Sequence, residues 1–156
     1  MTVIAAASAV AITVLIIIAI FSTRGRAQQL TLTDTESGEI YLAVPAEDGT
    51  AFAVTFTHSV NKTDVTETYE VRSGEIWLTG CIYYSFGAGV AEELDPSWTL
   101  TYGDEGEMII SDIDQRLPDL TYVVGTVSDH TLSVNGEEYS LRTLCGRNSS
   151  VRFEIS

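Results

Sequence analysis

The chain has 156 residues, with 22 acidic against 8 basic side chains and a formal net charge of −14. Such a surface repels nucleic acid and anionic lipid headgroups, and it favours solubility, cations or cationic ligands. Lys62 is the only lysine, and nucleic acid is not an expected partner.

The first element is the uncharged apolar run Val3 to Phe21. At about 1.5 Å per helical residue it nearly spans the hydrocarbon core of about 30 Å. A cleaved secretory signal wants a basic start, a shorter apolar stretch and a small-residue cleavage site. This chain starts Met1-Thr2, and only a weak cleavage site lies within Ser22 to Ala27. The reading is therefore one N-terminal transmembrane helix, with residues 1–26 as a membrane anchor or uncleaved signal. Arg24 and Arg26 flank its C-terminal side, where the positive-inside rule puts the cytoplasm. Cys81 and Cys145, an even number, are compatible with a single disulfide in an oxidising compartment. The two signals conflict, and the reading places residues 27–156 outside the cytoplasm, as one domain with a proper core.

Behind the anchor, β-branched and aromatic residues alternate in short runs cut by turn signals. They predict strands at Gln29–Asp34, Glu39–Val44, Ala51–His58, Val65–Arg72, Glu75–Phe86, Ser97–Tyr102, Glu107–Ile110, Leu120–Val127, Thr131–Val134, Glu137–Arg142 and Ser150–Ile155. No amphipathic helix of useful length is visible. The fold expected is all-β: a single β-sandwich or partly closed barrel of antiparallel strands.

Two hairpins organise the chemistry. Asn135-Gly136 is a type I′ signal, because both turn positions need positive φ, and a two-residue loop fixes the register. Val134 then opposes Glu137, Leu132 opposes Tyr139, and His130 opposes Leu141 at the end of the apolar face. In the second hairpin Phe52, Val54, Phe56 and His58 share one face, as do Val65, Glu67, Tyr69 and Val71. Pairing Phe56 with Tyr69 brings His58 opposite or beside Glu67. The plainer reading is that imidazole and carboxylate satisfy each other, with Ser59, Asn61 and Thr63 ordering the turn; the functional one is a ligand-, metal- or partner-binding role.

The remaining features are weaker. Gly87-Ala88-Gly89 predicts a tight bend that brings Ala88 and the acidic segment Glu92 to Asp95 near the His58 hairpin; no helix follows and no lysine is near, which disfavours a phosphate loop. His58, Glu67 and His130 are zinc-ligand types without short ligand spacing, so no metal is expected. Ser59 beside His58 makes no triad, since adjacent strand residues point to opposite faces, and no catalytic residues are expected. Cys81 and Cys145 are either a disulfide stapling the last strand, worth about 4 kcal/mol in loop entropy, or two buried thiols.

The run Phe56-Thr-His-Ser-Val-Asn-Lys-Thr-Asp-Val-Thr-Glu67 with Tyr84-Ser85-Phe86-Gly87-Ala88-Gly89-Val90 resembles the two signature segments of the Domain of Unknown Function 1850 family. Asp129-His130-Thr131-Leu132 and Arg142-Thr143-Leu144 are also similar, and the likeness covers about residues 30–156. What the resemblance implies is context more than chemistry: small bacterial and archaeal proteins with an N-terminal signal or anchor, often encoded beside fused permeases of TRAP (tripartite ATP-independent periplasmic) transporters of the TAXI type. The missing basic start and the two cysteines depart from the pattern. The expectation is a non-catalytic, cofactor-free accessory or ligand-binding partner on the cytoplasmic membrane, working with a TRAP permease or its soluble binding protein. A metal-binding or hydrolase-like protein using His58 and Glu67, or a structural envelope domain, are the alternatives. The candidate ligand- or partner-binding residues are His58, Ser59, Thr63, Glu67, Ser85, Gly87, Ala88, Gly89 and His130.

Overall fold

The computed structural model describes residues 27–60, 62–84 and 94–156. The expected anchor over residues 1–26 lies outside the described residues, as does the segment with Ser85, Gly87, Ala88 and Gly89. Among the described residues no helix is long and apolar enough to cross a membrane.

Those residues form twelve strands and one short helix. The strands are β1 Gln29–Asp34, β2 Ile40–Pro45, β3 Ala51–Thr57, β4 Asp64–Arg72, β5 Glu75–Tyr83 and β6 Thr99–Tyr102, then β7 Met108–Ser111, β8 Gln115–Leu117, β9 Leu120–Val123, β10 His130–Val134, β11 Glu137–Ser140 and β12 Ser150–Ile155; helix α1 is Leu141–Cys145. One sheet has the order β2-β1-β12-β9, and a larger one the order β11-β10-β3-β4-β5-β7-β6, with β8 on β5. All pairs are antiparallel. Among the described residues the fold is all-β and sandwich-like, and the sheets do not close into a barrel.

Alternation explains the core. Leu30, Leu32, Leu120, Val151 and Phe153 of the smaller sheet meet Phe52, Val54, Tyr69, Val71, Leu132 and Val134 of the larger one in a single buried cluster. Phe52 joins the layers, stacking on Tyr69 at 4.9 Å between ring centroids and on Phe153 at 6.0 Å. A second cluster, Val65, Tyr83, Met108, Ile110 and Ile113, continues along the larger sheet. Between them a bulge opposite Thr68 and Tyr69 absorbs an extra residue of β5. Gly80 sits at this bulge because a Cβ there would lie 2.8 Å from the Ile110 carbonyl oxygen.

The Asn135-Gly136 turn forms as read, with φ of 54° and 79° at its two residues and Val134 and Leu132 facing Glu137 and Tyr139. The strand expected over Glu137–Arg142 stops at Ser140 instead. Its hydroxyl accepts from the Thr143 amide at 3.0 Å, capping α1. The ladder therefore ends at Thr131 with Ser140, and His130 faces Phe56 of β3 rather than Leu141. Strand β8 was not expected, and β9 ends four residues early, at Val123, releasing a loop.

The disulfide is also corrected. Cys81 and Cys145 are both free thiols. Cys81 packs against the second cluster and faces Glu67 and Ile110, whereas Cys145 ends α1 against the main core and donates to the Leu141 carbonyl at 2.8 Å. The last strand needs no staple, because β1 and β9 flank it on both sides. Burial first, then the Glu67 charge, pushes the Cys81 thiol up to about 12, and burial also raises Cys145. Both thiols should therefore react with Ellman's reagent quickly only after unfolding, and a reductant should leave the melting temperature unchanged. A reductant-dependent fall in melting temperature would contradict the free-thiol state.

Candidate functional site

The site lies at one end of the sandwich, where the turn after β3 meets the loop between β9 and β10. The first hairpin closes tighter than the alternation suggested. Thr57 pairs with Asp64, the His58 amide donates to the Thr63 carbonyl at 2.8 Å, and the Lys62 amide donates to the His58 carbonyl at 3.0 Å. Phe56 thus opposes Val65, Phe52 opposes Tyr69, and the partner of Glu67 is Val54, not His58. The expected His58–Glu67 cross-strand pair is replaced by two separate arrangements.

The inner arrangement centres on the half-buried Glu67. The Tyr69 hydroxyl donates to its Oε2 at 3.0 Å, Tyr122 donates to the same atom, and the two hydroxyl oxygens lie 2.5 Å apart. Burial first, then neighbouring negative charge, pushes the Tyr69 phenol far above its ordinary range. Burial, then the Tyr69 and Glu67 charges, does the same to Tyr122. Both stay protonated, so each offers one hydrogen to the carboxylate. Because Tyr122 belongs to β9 and Glu67 to β4, the network ties the two sheets together.

The outer arrangement is a cleft of about 360 Å³. His58, Ser59 and Lys62 come from the turn, Phe56 and Thr57 from β3, and Val123, Gly125, Thr126, Val127, Ser128 and His130 from the end of β9, the following loop and β10. The structure thus brings His58 and His130 to one cleft. His130 stacks on Phe56 at 5.2 Å and meets the Tyr122 ring edge-on at 5.7 Å, so the two arrangements adjoin.

Both imidazoles are set by backbone amides. Val60 N–H donates to Nδ1 of His58 at 3.3 Å, and Gly125 N–H donates to Nδ1 of His130 at 3.3 Å. An Nδ1 that accepts carries no hydrogen, so the neutral His130 ring carries its proton on Nε2. A histidine that ligates a metal through Nε2 instead keeps its hydrogen on Nδ1 and donates it to a carbonyl or carboxylate, an arrangement that His130 does not show.

Asp129 holds the loop in place. Its carboxylate accepts from the backbone amides of His130 at 2.7 Å and Arg142 at 2.9 Å, and from the Ser140 hydroxyl at 2.5 Å. Burial works to raise its pKa, but these hydrogen bonds outweigh it and leave the group below its ordinary value. Arg142 also donates to the Gly125 carbonyl at 3.1 Å.

Burial holds His130 below the ordinary imidazole value, with Asp129 opposing, Arg142 assisting and Glu67 opposing. The unfolded chain therefore binds the proton more tightly than the folded one. This contribution to stability is complete above pH of about 6.5 and is lost as pH falls through the lower folded value. Denaturation midpoints should decline from pH 7.5 to 5 in the wild type, and His130→Phe, which keeps a ring on Phe56, should lack that component. An identical decline in both proteins would contradict the assignment.

Of the residues expected from sequence, His58, Ser59 and His130 line the cleft, Thr63 closes its turn through the backbone, and Glu67 lies in the adjoining network. Tyr122, Gly125, Asp129 and Lys62 were not among the candidates. Asp129 and Lys62 had a signal, since both lie in segments similar to the family beside a histidine or in its turn; Tyr122 and Gly125 had none.

A family model described as "Domain of unknown function (DUF1850)" matches residues 52–141, more than half of the chain, and the chain belongs to that family. The matched span runs from β3 to the start of α1 and includes both histidines. No curated protein matches the chain. No solved structure matches it either.

Proposed function

We propose that this member of the family is a non-catalytic, ligand-binding accessory domain, held at the outer face of the cytoplasmic membrane by its N-terminal apolar run and serving a TRAP-type solute importer of the TAXI kind. The cleft at the end of the sandwich carries the reading. Two segments distant in sequence, one around His58 and one from Val123 to His130, converge there, and two of its lining residues are exposed valines, Val123 at 59 % exposure and Val127 at 85 %. Exposed apolar side chains gathered around a polar cleft are the composition of a contact surface rather than of a solvated loop. The uncharged run Val3 to Phe21 supports the anchor, and the genomic setting that the family resemblance implies supports the importer.

A metal or hydrolase site on His58 and Glu67 is less well supported, because Glu67 faces Val54 and is held by two tyrosines. Mild-detergent purification of the full chain tests the proposal, comparing wild type with Val127→Asp and His58→Ala after circular dichroism shows that each is folded. The permease or its soluble binding protein, identified by mass spectrometry, should co-purify with wild type and be lost from both variants. Equal recovery from all three proteins would overturn the cleft as the contact surface.

A further inference from the structure

We infer that residues 125–128 form an acid-released lip of the cleft: a proton on Nδ1 of His130 removes the acceptor of the Gly125 amide, the lip lifts, and Val127 leaves the contact surface. The inference rests on the reading of this cleft as a contact surface and names how that surface is regulated.

The lip is a short segment between two fixed posts. Before it, the Val124 amide donates to the Ser149 carbonyl at 2.9 Å, and the Val124 carbonyl accepts from the Asn148 amide at 2.8 Å. After it, Asp129 accepts from the amides of His130 and Arg142 and from the Ser140 hydroxyl. Between the posts, the Gly125 amide rests on Nδ1 of His130 at 3.3 Å, the Arg142 guanidinium donates to the Gly125 carbonyl at 3.1 Å, and the Ser128 hydroxyl donates to the Thr57 carbonyl at 3.5 Å. Val127 at the tip is 85 % exposed, so burial adds little to those contacts.

Protonation acts on the first of them. Nδ1 of a neutral His130 accepts, whereas both nitrogens of an imidazolium donate. Two N–H groups then face each other with no acceptor between them. The ring keeps its place, because a cation is attracted by the face of Phe56, on which it stacks at 5.2 Å between centroids, and Tyr122 packs edge-on against it at 5.7 Å. The exposed lip gives way instead. The new charge also repels the Arg142 guanidinium that holds the Gly125 carbonyl.

The groups around the ring set where this happens. Burial opposes the proton most, Asp129 and Glu67 favour it, and Arg142 opposes it. His58 and Lys62 line the same cleft from the turn after β3, and the Tyr122 phenol stays protonated. The lip should therefore open below the ordinary imidazole value of about 6.5. Asp129, held below its own ordinary value, keeps the far post in place there.

Amide NMR of the full chain in detergent micelles, from pH 7.5 to 4.5, tests this without a partner. The signals of residues 125–128 should move with the same midpoint as the His130 imidazole. Protection of the Gly125 amide from solvent exchange should fall by about tenfold, the upper value of one hydrogen bond. In His130→Asn, Oδ1 lies as many bonds from the backbone as Nδ1 and accepts throughout this range, so the lip should stay closed. That variant retains His58 and the acidic surface, and so controls for their titration. His130→Phe keeps the ring without an acceptor and should leave the lip open at both ends of the range. Circular dichroism at each pH establishes that every protein is folded. Lip signals in wild type that ignore the His130 midpoint, or an equal acid response in His130→Asn, would overturn the inference. A lip that follows His130 while nothing co-purifies leaves the device standing and removes the importer partnership. A partner recovered through the cleft beside a lip indifferent to acid removes the device alone.

Discussion

Tyr122→Ala should destabilise the domain by about 3 kcal/mol, a large share of the 5–15 kcal/mol typical of a domain. The ring contacts Phe56, His130 and Phe153 at centroid distances of 6.1, 5.7 and 5.9 Å. Its hydroxyl also supplies the cross-sheet hydrogen bond to Glu67. Tyr122→Phe separates the two contributions: it keeps the ring and leaves the carboxylate with the Tyr69 hydroxyl, at a cost of about 1–3 kcal/mol. In a Glu67→Leu background the Tyr122→Phe penalty should shrink, because the acceptor is gone. Denaturant unfolding of the four proteins measures the coupling, and a Tyr122→Phe penalty independent of Glu67 would show that the hydroxyl network does not join the sheets.

Gly125→Ala should be the most damaging small substitution in the cleft. A Cβ at Gly125 would lie 2.4 Å from the Ser128 carbonyl oxygen and 3.5 Å from Cε1 of His130. The first contact is with backbone, so the loop must move, at about 1–3 kcal/mol. Moving it withdraws the amide from Nδ1 of His130 and the carbonyl from Arg142. The imidazole should then titrate closer to its ordinary range, which the NMR of the two histidines detects. Gly136→Ala is the matched control. Its surroundings are open, its φ of 79° carries the whole penalty, and the His130 titration should stay where it is. If Gly125→Ala leaves both stability and the His130 titration unchanged, the loop does not position that ring.

What the sequence made legible follows from which interactions are local. Asn135-Gly136 specified its own turn and, through a two-residue loop, its register as far as Thr131 and Ser140, but His130 pairs with Phe56 of β3 and not with Leu141. The β3–β4 hairpin behaved differently. Alternation sorted Phe52, Val54 and Phe56 from their neighbours and put Glu67 and Tyr69 on the inner face. Sliding one strand by an even number of residues preserves that sorting, so it could not say which residues meet. The turn from His58 to Thr63 decided it, through backbone hydrogen bonds that side-chain pattern does not encode. Tyr122 was invisible as a partner of Glu67 because the contact joins different sheets across 55 positions. The switch from β11 to helix turns on the Ser140 cap and on Asp129, which holds the Arg142 amide from outside the segment. The two thiols stayed apart because each belongs to its own cluster, a matter of topology rather than of spacing.

We propose that the protein meets its partner at the cleft end of the sandwich. Site-specific photo-crosslinking in cells tests it most directly, with the reactive side chain placed at Val127 on the cleft rim or at Glu137 at the opposite end of the β10–β11 hairpin. A crosslink is expected from position 127 to the importer permease or its soluble binding protein, identified by mass spectrometry, and none from position 137. A crosslink to either protein from position 137 with none from position 127 would contradict it.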